Sequence, residues 1–412
     1  MNKKKLIVPL IFLVAAAFYF VFFYKSKTLK FVPENADAVV LIDMKKLTRQ
    51  YISNLITHPA KWSDSKKKKD KKTVSLKDSG IRIPDFLQIF HLKDTKFSEW
   101  YTVVELKDLQ KFSAFLKNNQ FVSKGKNTFQ KDQIFIKIEG ENCIVGTSAS
   151  AFENIDKLFQ SFEKKTLDAD QFISNSLGSI SFISGKKIQN FSIELKADEI
   201  EIKNTPESED FTSIVSGQQQ KNYFLDAELD TENIKHFASL FNKSIRDSAQ
   251  INYFKATADL EQVNDTIISY EYDDNFNEIE KKTYQKIIQP NYVIDLQSQN
   301  PGKTWDYFQH KKWINAQDQF IGIPFQPNHI DRNDGGFIVK STRKSIVQSP
   351  KLKENYIFFR NSPLLLSSLS TLTATEKKLL SDIDYIFYGN KAQNYWMKIK
   401  AKKSTLPLIL RW

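Results

Sequence analysis

A single cysteine, Cys143, stands in the 412 residues, so an intramolecular disulfide is impossible and zinc held by several thiolates is excluded. The thiol count therefore says nothing for or against an oxidising compartment. Glycine and proline are scarce, 12 of each, which rules out a collagen-like or low-complexity chain. No GxGxxG or GxxxxGK[ST] run is present, so a glycine-lined phosphate cradle has no basis in the sequence. The five histidines, His58, His91, His236, His310 and His329, form no HExxH pairing. There is no GxSxG elbow, and SxxK recurs only as often as abundant serine and lysine produce by chance. Arginine is rare, 7 against 53 lysines, so the arginine-rich surface of a sequence-reading nucleic-acid binder is missing. No catalytic residue, cofactor, metal or specific nucleic-acid partner is expected.

Apolar mass, by contrast, is plentiful. Hydrophobic residues make up 41% of the chain and include 33 Phe, 15 Tyr and 6 Trp, enough to build real cores. Residues 6–24 form a run without a charge, which as a helix extends about 28 Å against the roughly 30 Å of a bilayer's hydrocarbon core. Pro9 falls in its first turn, and Tyr19 and Tyr24 lie toward its far end, where interfacial aromatics are favoured. After the basic start Lys3, Lys4 and Lys5, the small residues Ala15, Ala16 and Ala17 also allow a cleavable signal. Bulky apolar residues follow those alanines, which favours a retained transmembrane helix. Lys25, Lys27 and Lys30 blur the positive-inside rule, but a five-residue cytoplasmic tail (1–5) before a first apolar run behaves as a signal anchor. The expected location is the cell inner membrane, single-pass, with the bulk of the chain periplasmic.

The formal charge of +12 is local. Lys3–Lys5 supply three charges and the segment 63–73 a net four, leaving +5 for the rest. Within that segment Lys66, Lys67, Lys68, Lys69, Lys71 and Lys72 could contact an anionic lipid surface at about 1 kcal/mol per lysine. A solvated, self-repelling loop explains the same run and is favoured.

Beyond a juxtamembrane segment (25–32), the periodicity predicts an α+β architecture of two strand-rich lobes, 33–203 and 222–412, joined by a polar linker at 204–221. In the first lobe, strands are expected at 39–44, 101–106, 133–138, 143–147, 180–183 and 191–197. Helices carry Leu47, Tyr51 and Leu55 on one face, then Leu109, Phe112, Phe115 and Leu116 behind an Asp108 cap, then Phe152, Ile155, Phe159 and Phe162 behind a Ser150–Glu153 capping box. In the second lobe, strands are expected at 224–229, 253–260, 266–272, 292–296, 337–340, 356–360, 384–388 and 395–401. Helices are expected after the strand 224–229, marked by Ile234, Phe237, Ala238 and Phe241, at 303–311, and from Thr373 with Glu376 completing a second capping box. Strand–helix units thus repeat weakly between the lobes.

Asp43, Glu105, Glu194, Glu228, Asp259 and Asp295 each stand between apolar neighbours in a predicted strand. Gathered together they could bind a cation, but period-2 alternation puts each on a solvated face, and that is the expectation. Of the calcium-like stretches, 331–336 has Gly335 where an oxygen ligand is needed, 273–278 lacks the central Gly, and Thr342 and Tyr284 stand where each needs its closing Glu, so Asp334–Gly335 reads as a hairpin turn. Cys143 reads as a buried thiol, and Trp305, Tyr307 and Trp313 as core.

The basic start and single span, the stretch 32–44 (VPENADAVVLIDM) and the pattern 100–108 (WYTVVELKD) before an amphipathic helix resemble uncharacterised membrane-anchored envelope proteins of Bacteroidetes-type bacteria. The resemblance covers about the first 165 residues well. It implies location and architecture and carries over no catalytic residue. The expected function is a non-enzymatic, single-pass envelope protein with an extracytoplasmic binding or scaffolding region, whose partner is an envelope protein, a lipid or the cell wall. The alternatives are an envelope hydrolase with scattered catalytic groups and a tether acting through the lysine run. On the anchor expectation, full-length protein stays in the membrane pellet after a carbonate wash; recovery in the supernatant overturns it.

Overall fold

The computed structural model describes the chain apart from residues 1–22, 62–77, 126, 161–166, 205–208, 242–249, 273–275, 324–327, 370 and 412. It divides into two compact units, one comprising the described residues up to Asn204 together with Ser404–Trp412, the other Thr205–Lys403.

In the first unit, Ala36–Asp43 pairs antiparallel with Gly178–Ser184 on one side and with Phe86–Leu92 on the other. Lys187–Leu195 and Glu199–Lys203 extend the sheet beyond Gly178–Ser184. Tyr101–Glu105, Asn142–Gly146, Ile134–Glu139, Thr128–Lys131 and Val122–Gly125 extend it beyond Phe86–Leu92. Strand alternation sorts the core into two. Tyr101 and Val103 pack with Val39, Leu41, Phe90 and Phe152, while Val104 turns the other way to meet Phe112, Leu116, Ile138 and Cys143. The helix Leu109–Asn118 supplies that second layer, and Asp108 caps it by accepting from the Lys111 N–H. Each such buried Phe is worth about 1.5–3 kcal/mol. Asp43 caps the helix Met44–Thr57 through the Lys46 N–H at 2.8 Å and holds the Lys25 ammonium at 2.5 Å. Gly80 sits at φ +80°, where a Cβ would lie 2.2 Å from the Asp108 carbonyl oxygen, so the close approach of this loop to the Asp108 cap requires glycine.

The second unit has the antiparallel strand order His329–Asn333, Gly336–Lys340, Glu278–Ser298, Ile251–Tyr272, Leu225–Asp230, Asn355–Arg360, Ile383–Lys391 and Asn394–Ala401. One sheet face is covered by the helix Pro301–His310, started by the Asn300 cap and Pro301, whose Trp305 and Phe308 pack on Tyr292, Leu296 and Phe337. Toward the other face, the helix Glu209–Gln219 sends Phe211, Ile214 and Val215 among Tyr356, Phe358, Phe387 and Trp396.

Two expectations are corrected, and the structure adds detail to a third. The α+β class gives way to a mostly β protein, 45% strand against 24% helix, with a large antiparallel sheet. Strands that were not anticipated, such as Phe86–Leu92, Glu199–Lys203 and the whole of 278–291, make the difference. The expected transmembrane helix at 6–24 lies outside the described residues except for Phe23 and Tyr24, which are not helical, and no described helix is long and apolar enough to cross a membrane. The expected linker at 204–221 contains the helix Glu209–Gln219, held in place by its buried Phe211. Residues 404–411 return to the first unit, where Leu408 and Leu410 are buried and the Leu408 N–H donates to the Ala197 carbonyl.

Candidate functional site

Lys66, Lys67, Lys68, Lys69, Lys71 and Lys72, the candidate anionic-surface contacts, lie outside the described residues. Cys143 is fully buried, and burial pushes its thiol up to about 12, so it is no nucleophile. His91 is buried with Nδ1 2.6 Å from Asp37 and Nε2 2.9 Å from the Lys96 carbonyl, both ring nitrogens engaged. His329 lies 2.6 Å from Asp331 on an exposed strand, and Lys340 holds the same carboxylate. Trp305 is core, and Tyr307 and Trp313 pack against it. Asp334 and Gly335 turn a hairpin, with the Gly335 N–H donating to the Asn333 side chain. A cleft of about 400 Å³ in the first unit is lined by Lys25, Lys27, Lys46 and Arg49. Lys25 is tied to Asp43, Lys27 to Asp170 and Lys46 to the Asn175 carbonyl, while Arg49 lies over the Phe23 ring, so these cations are already engaged.

The six strand acids do not form one stripe, and the solvated-face expectation is corrected: Asp43, Glu228 and Asp295 are buried, and Glu105, Glu194 and Asp259 half-buried. Two of them flank a lysine. Strand register in the second unit aligns Tyr356, Glu228, Lys255 and Asp295 in one cross-sheet row, with Asp226 and Thr257 in the next. The fully buried Lys255 ammonium donates to Glu228 at 3.0 Å and to the Tyr356 hydroxyl at 3.0 Å, with Asp226 at 3.7 Å. Residues 341–354 cross this face as a strap: the Leu352 and Lys353 N–H groups donate to Glu228 at 2.8 Å, Ser349 donates to Asp226 at 2.9 Å, and Lys351 meets Asp295 at 2.7 Å. Burial pushes the Glu228 carboxyl up, but the Leu352 N–H, Lys255 and the Lys353 N–H outweigh it and hold the group below the usual carboxylate range. The Tyr356 phenol is raised, first by burial and then by the neighbouring Asp226 and Glu228 charges. With Tyr253 also donating at 3.1 Å, Glu228 accepts four hydrogen bonds and has no open position for a substrate proton. The cation between Glu228 and Asp295 is the chain's own ammonium, and the row is structural.

The exposed feature of this unit is the outer part of its long hairpin. Ile251–Tyr272 and Glu278–Ser298 pair along nearly their whole length, but only the root is flanked by further described strands. From Asn264 to Tyr272 and from Glu278 to Lys286 the two pair with each other and with no other described strand, a ribbon about 30 Å long at roughly 3.4 Å per residue. Directly paired residues share a face, so Tyr272, Tyr270, Ile268, Thr266 and Asn264 lie on one side with Glu278, Glu280, Lys282, Tyr284 and Lys286. On that side Tyr270, Tyr272 and Tyr284 are 60%, 67% and 72% exposed and Ile268 49%. The opposite side continues the face of Lys255, Thr257 and buried Val263. Sequence reasoning found the strand 266–272 but not this surface. The spacing of Tyr270, Tyr272 and Tyr284 was its only signal, and it needed the pairing register to become a patch.

No protein-family model, curated protein or solved structure matches the chain.

Lys255→Met is expected to cost about 3–5 kcal/mol in denaturant unfolding, because it strands buried carboxylates without their cation. Adding Glu228→Gln to it should recover part of that loss. The depressed Glu228 carboxyl contributes stability that is fully present above its ordinary value of 4.5 and is lost as pH falls through its lower folded value. Hydrogen-exchange protection at Leu352 and Lys353 should therefore hold from neutrality to about pH 4.5 and decline below it; protection that is flat into strong acid removes this account of the strap.

Proposed function

We propose that this is a non-enzymatic binding or scaffolding protein whose contact element is the tyrosine-bearing face of the ribbon. The observation that carries the reading is the exposure of Tyr270, Tyr272 and Tyr284 beside Ile268 on one face of two strands that there pair with each other and with no other described strand. Tyrosine is well suited to such a face, because it brings large contact area with few torsions to freeze and a hydroxyl for a polar rim. An isolated two-stranded ribbon is marginally stable in water, so a partner that covers its exposed face adds burial that the fold leaves unmet. The shifted carboxylates, by contrast, are tied to strap, cap or lysine partners.

A photo-crosslinking phenylalanine placed at Tyr284 in the native cell should give discrete adducts, while the same group at Val347, equally exposed in the same unit, should give none. Equal labelling at the two positions removes the ribbon as contact element.

A further inference from the structure

We infer that the tyrosine face docks on the same face of a second copy of this chain, the two ribbons antiparallel across a two-fold axis. The inference rests on the reading of the ribbon as the contact element and names its partner. From tip to root the face carries the rows Tyr272–Glu278, Tyr270–Glu280, Ile268–Lys282, Thr266–Tyr284 and Asn264–Lys286. Acid is thus confined to the tip and base to the middle and root. Glu280 already holds Lys282 at 2.9 Å, whereas Glu278 and Lys286 have no ion-pair partner among the described residues.

A half-turn about an axis lying across the ribbon at its middle row places each strand over its own copy, reversed. Ile268 then meets Ile268 of the second copy at the centre. Glu278 comes over Lys286 twice, once in each direction, and Tyr270 covers Thr266 while Tyr284 covers Glu280. Lys282 meets its counterpart on the axis, each accompanied by its own Glu280. A parallel arrangement would instead stack the acidic tips together and the basic roots together, which like-charge repulsion disfavours. The antiparallel dimer is therefore the one in which the unpaired charges find opposites and the exposed isoleucine is covered. About ten residues a side is small beside the 20–30 of a standard interface, so the dimer is weak and concentration-dependent.

The full chain offers a clean thiol test, because Cys143 is buried and burial holds its thiol well above the usual range. Ile268→Cys places a thiol on the axis, and Ile267→Cys places one on the opposite face of the same strand; both positions are exposed. Packed sheets lie about 10 Å apart, so a bis-maleimide of that span should join two Ile268→Cys chains into a covalent dimer and leave Ile267→Cys monomeric. Adding Glu278→Lys or Lys286→Glu to Ile268→Cys should each lower the dimer yield about tenfold. An equal mixture of those two charge variants should restore it, since every introduced charge then faces its opposite. Equal yields from the two thiol positions, no dimer from Ile268→Cys, or a mixture no better than its components overturns the inference. Adducts at Tyr284 to a different protein, with no Ile268→Cys dimer, would sink the dimer while keeping the ribbon as contact element.

Discussion

The second unit depends on one buried ammonium. Lys255 is fully buried and sits in a row with Glu228, Asp295 and Tyr356, so its strand can pair in only one register without leaving a bare charge in the interior. A slip by one residue would turn Lys255 into the aromatic layer under the helix Pro301–His310 and bring Phe254 against the carboxylates. The constraint travels outward. Pairing runs without a register shift from Tyr253 to Tyr272, so fixing the face of Lys255 also fixes, about 50 Å away along the strand, the side on which Tyr270 and Tyr272 emerge.

The ribbon itself is held by short-range pairs rather than by a core. Lys281 meets Glu271 at 2.6 Å, Lys282 meets Glu280 at 2.9 Å, and Gln285 donates to Asp265 at 3.1 Å. Exposed pairs of this kind contribute about 0.2–1 kcal/mol each, so they bias the ribbon toward order without making it rigid. Lys281 and Lys282 both lie on the strand Glu278–Ser298, where charge resists indiscriminate strand pairing along that edge. The proposed contact runs through the face, where tyrosines and one isoleucine are concentrated.

Much of the local structure was legible in the sequence, and the failures share a cause. Asp108 caps its helix and Thr373–Glu376 forms a reciprocal capping box, because those bonds need only residues three apart. Ser150–Glu153 has the same spelling, yet the Ser150 hydroxyl donates to Glu99 at 2.8 Å, a partner brought from 51 residues away that no local rule could weigh. Period-2 alternation located the strand around Lys255 but not what lies over it. The strap 341–354 has no periodicity, so the layer that buries Glu228 and Asp295 was invisible and a solvated face was the natural reading. The strand stretch 278–291 was missed for the opposite reason: its outer part is polar on both faces, and only the cross-strand partner declares it a strand.

Why a sheet interior should carry an ionic row at all follows from what apolar residues there would lose. A buried ion pair is weak as a source of stability, and hydrophobic replacements of similar volume are often as stable or more so. One oxygen of Asp226 shows the cost, being buried without a hydrogen-bond donor and with the Lys221 ammonium no nearer than 3.8 Å. A smooth apolar face, however, would accept neighbouring registers at little penalty, whereas Glu228 demands Lys255, the Tyr253 hydroxyl and two strap N–H groups at once. The row therefore trades some stability for a single pairing of strands. In a hairpin whose outer half has no core of its own, that single pairing is what keeps the exposed tyrosines on one side.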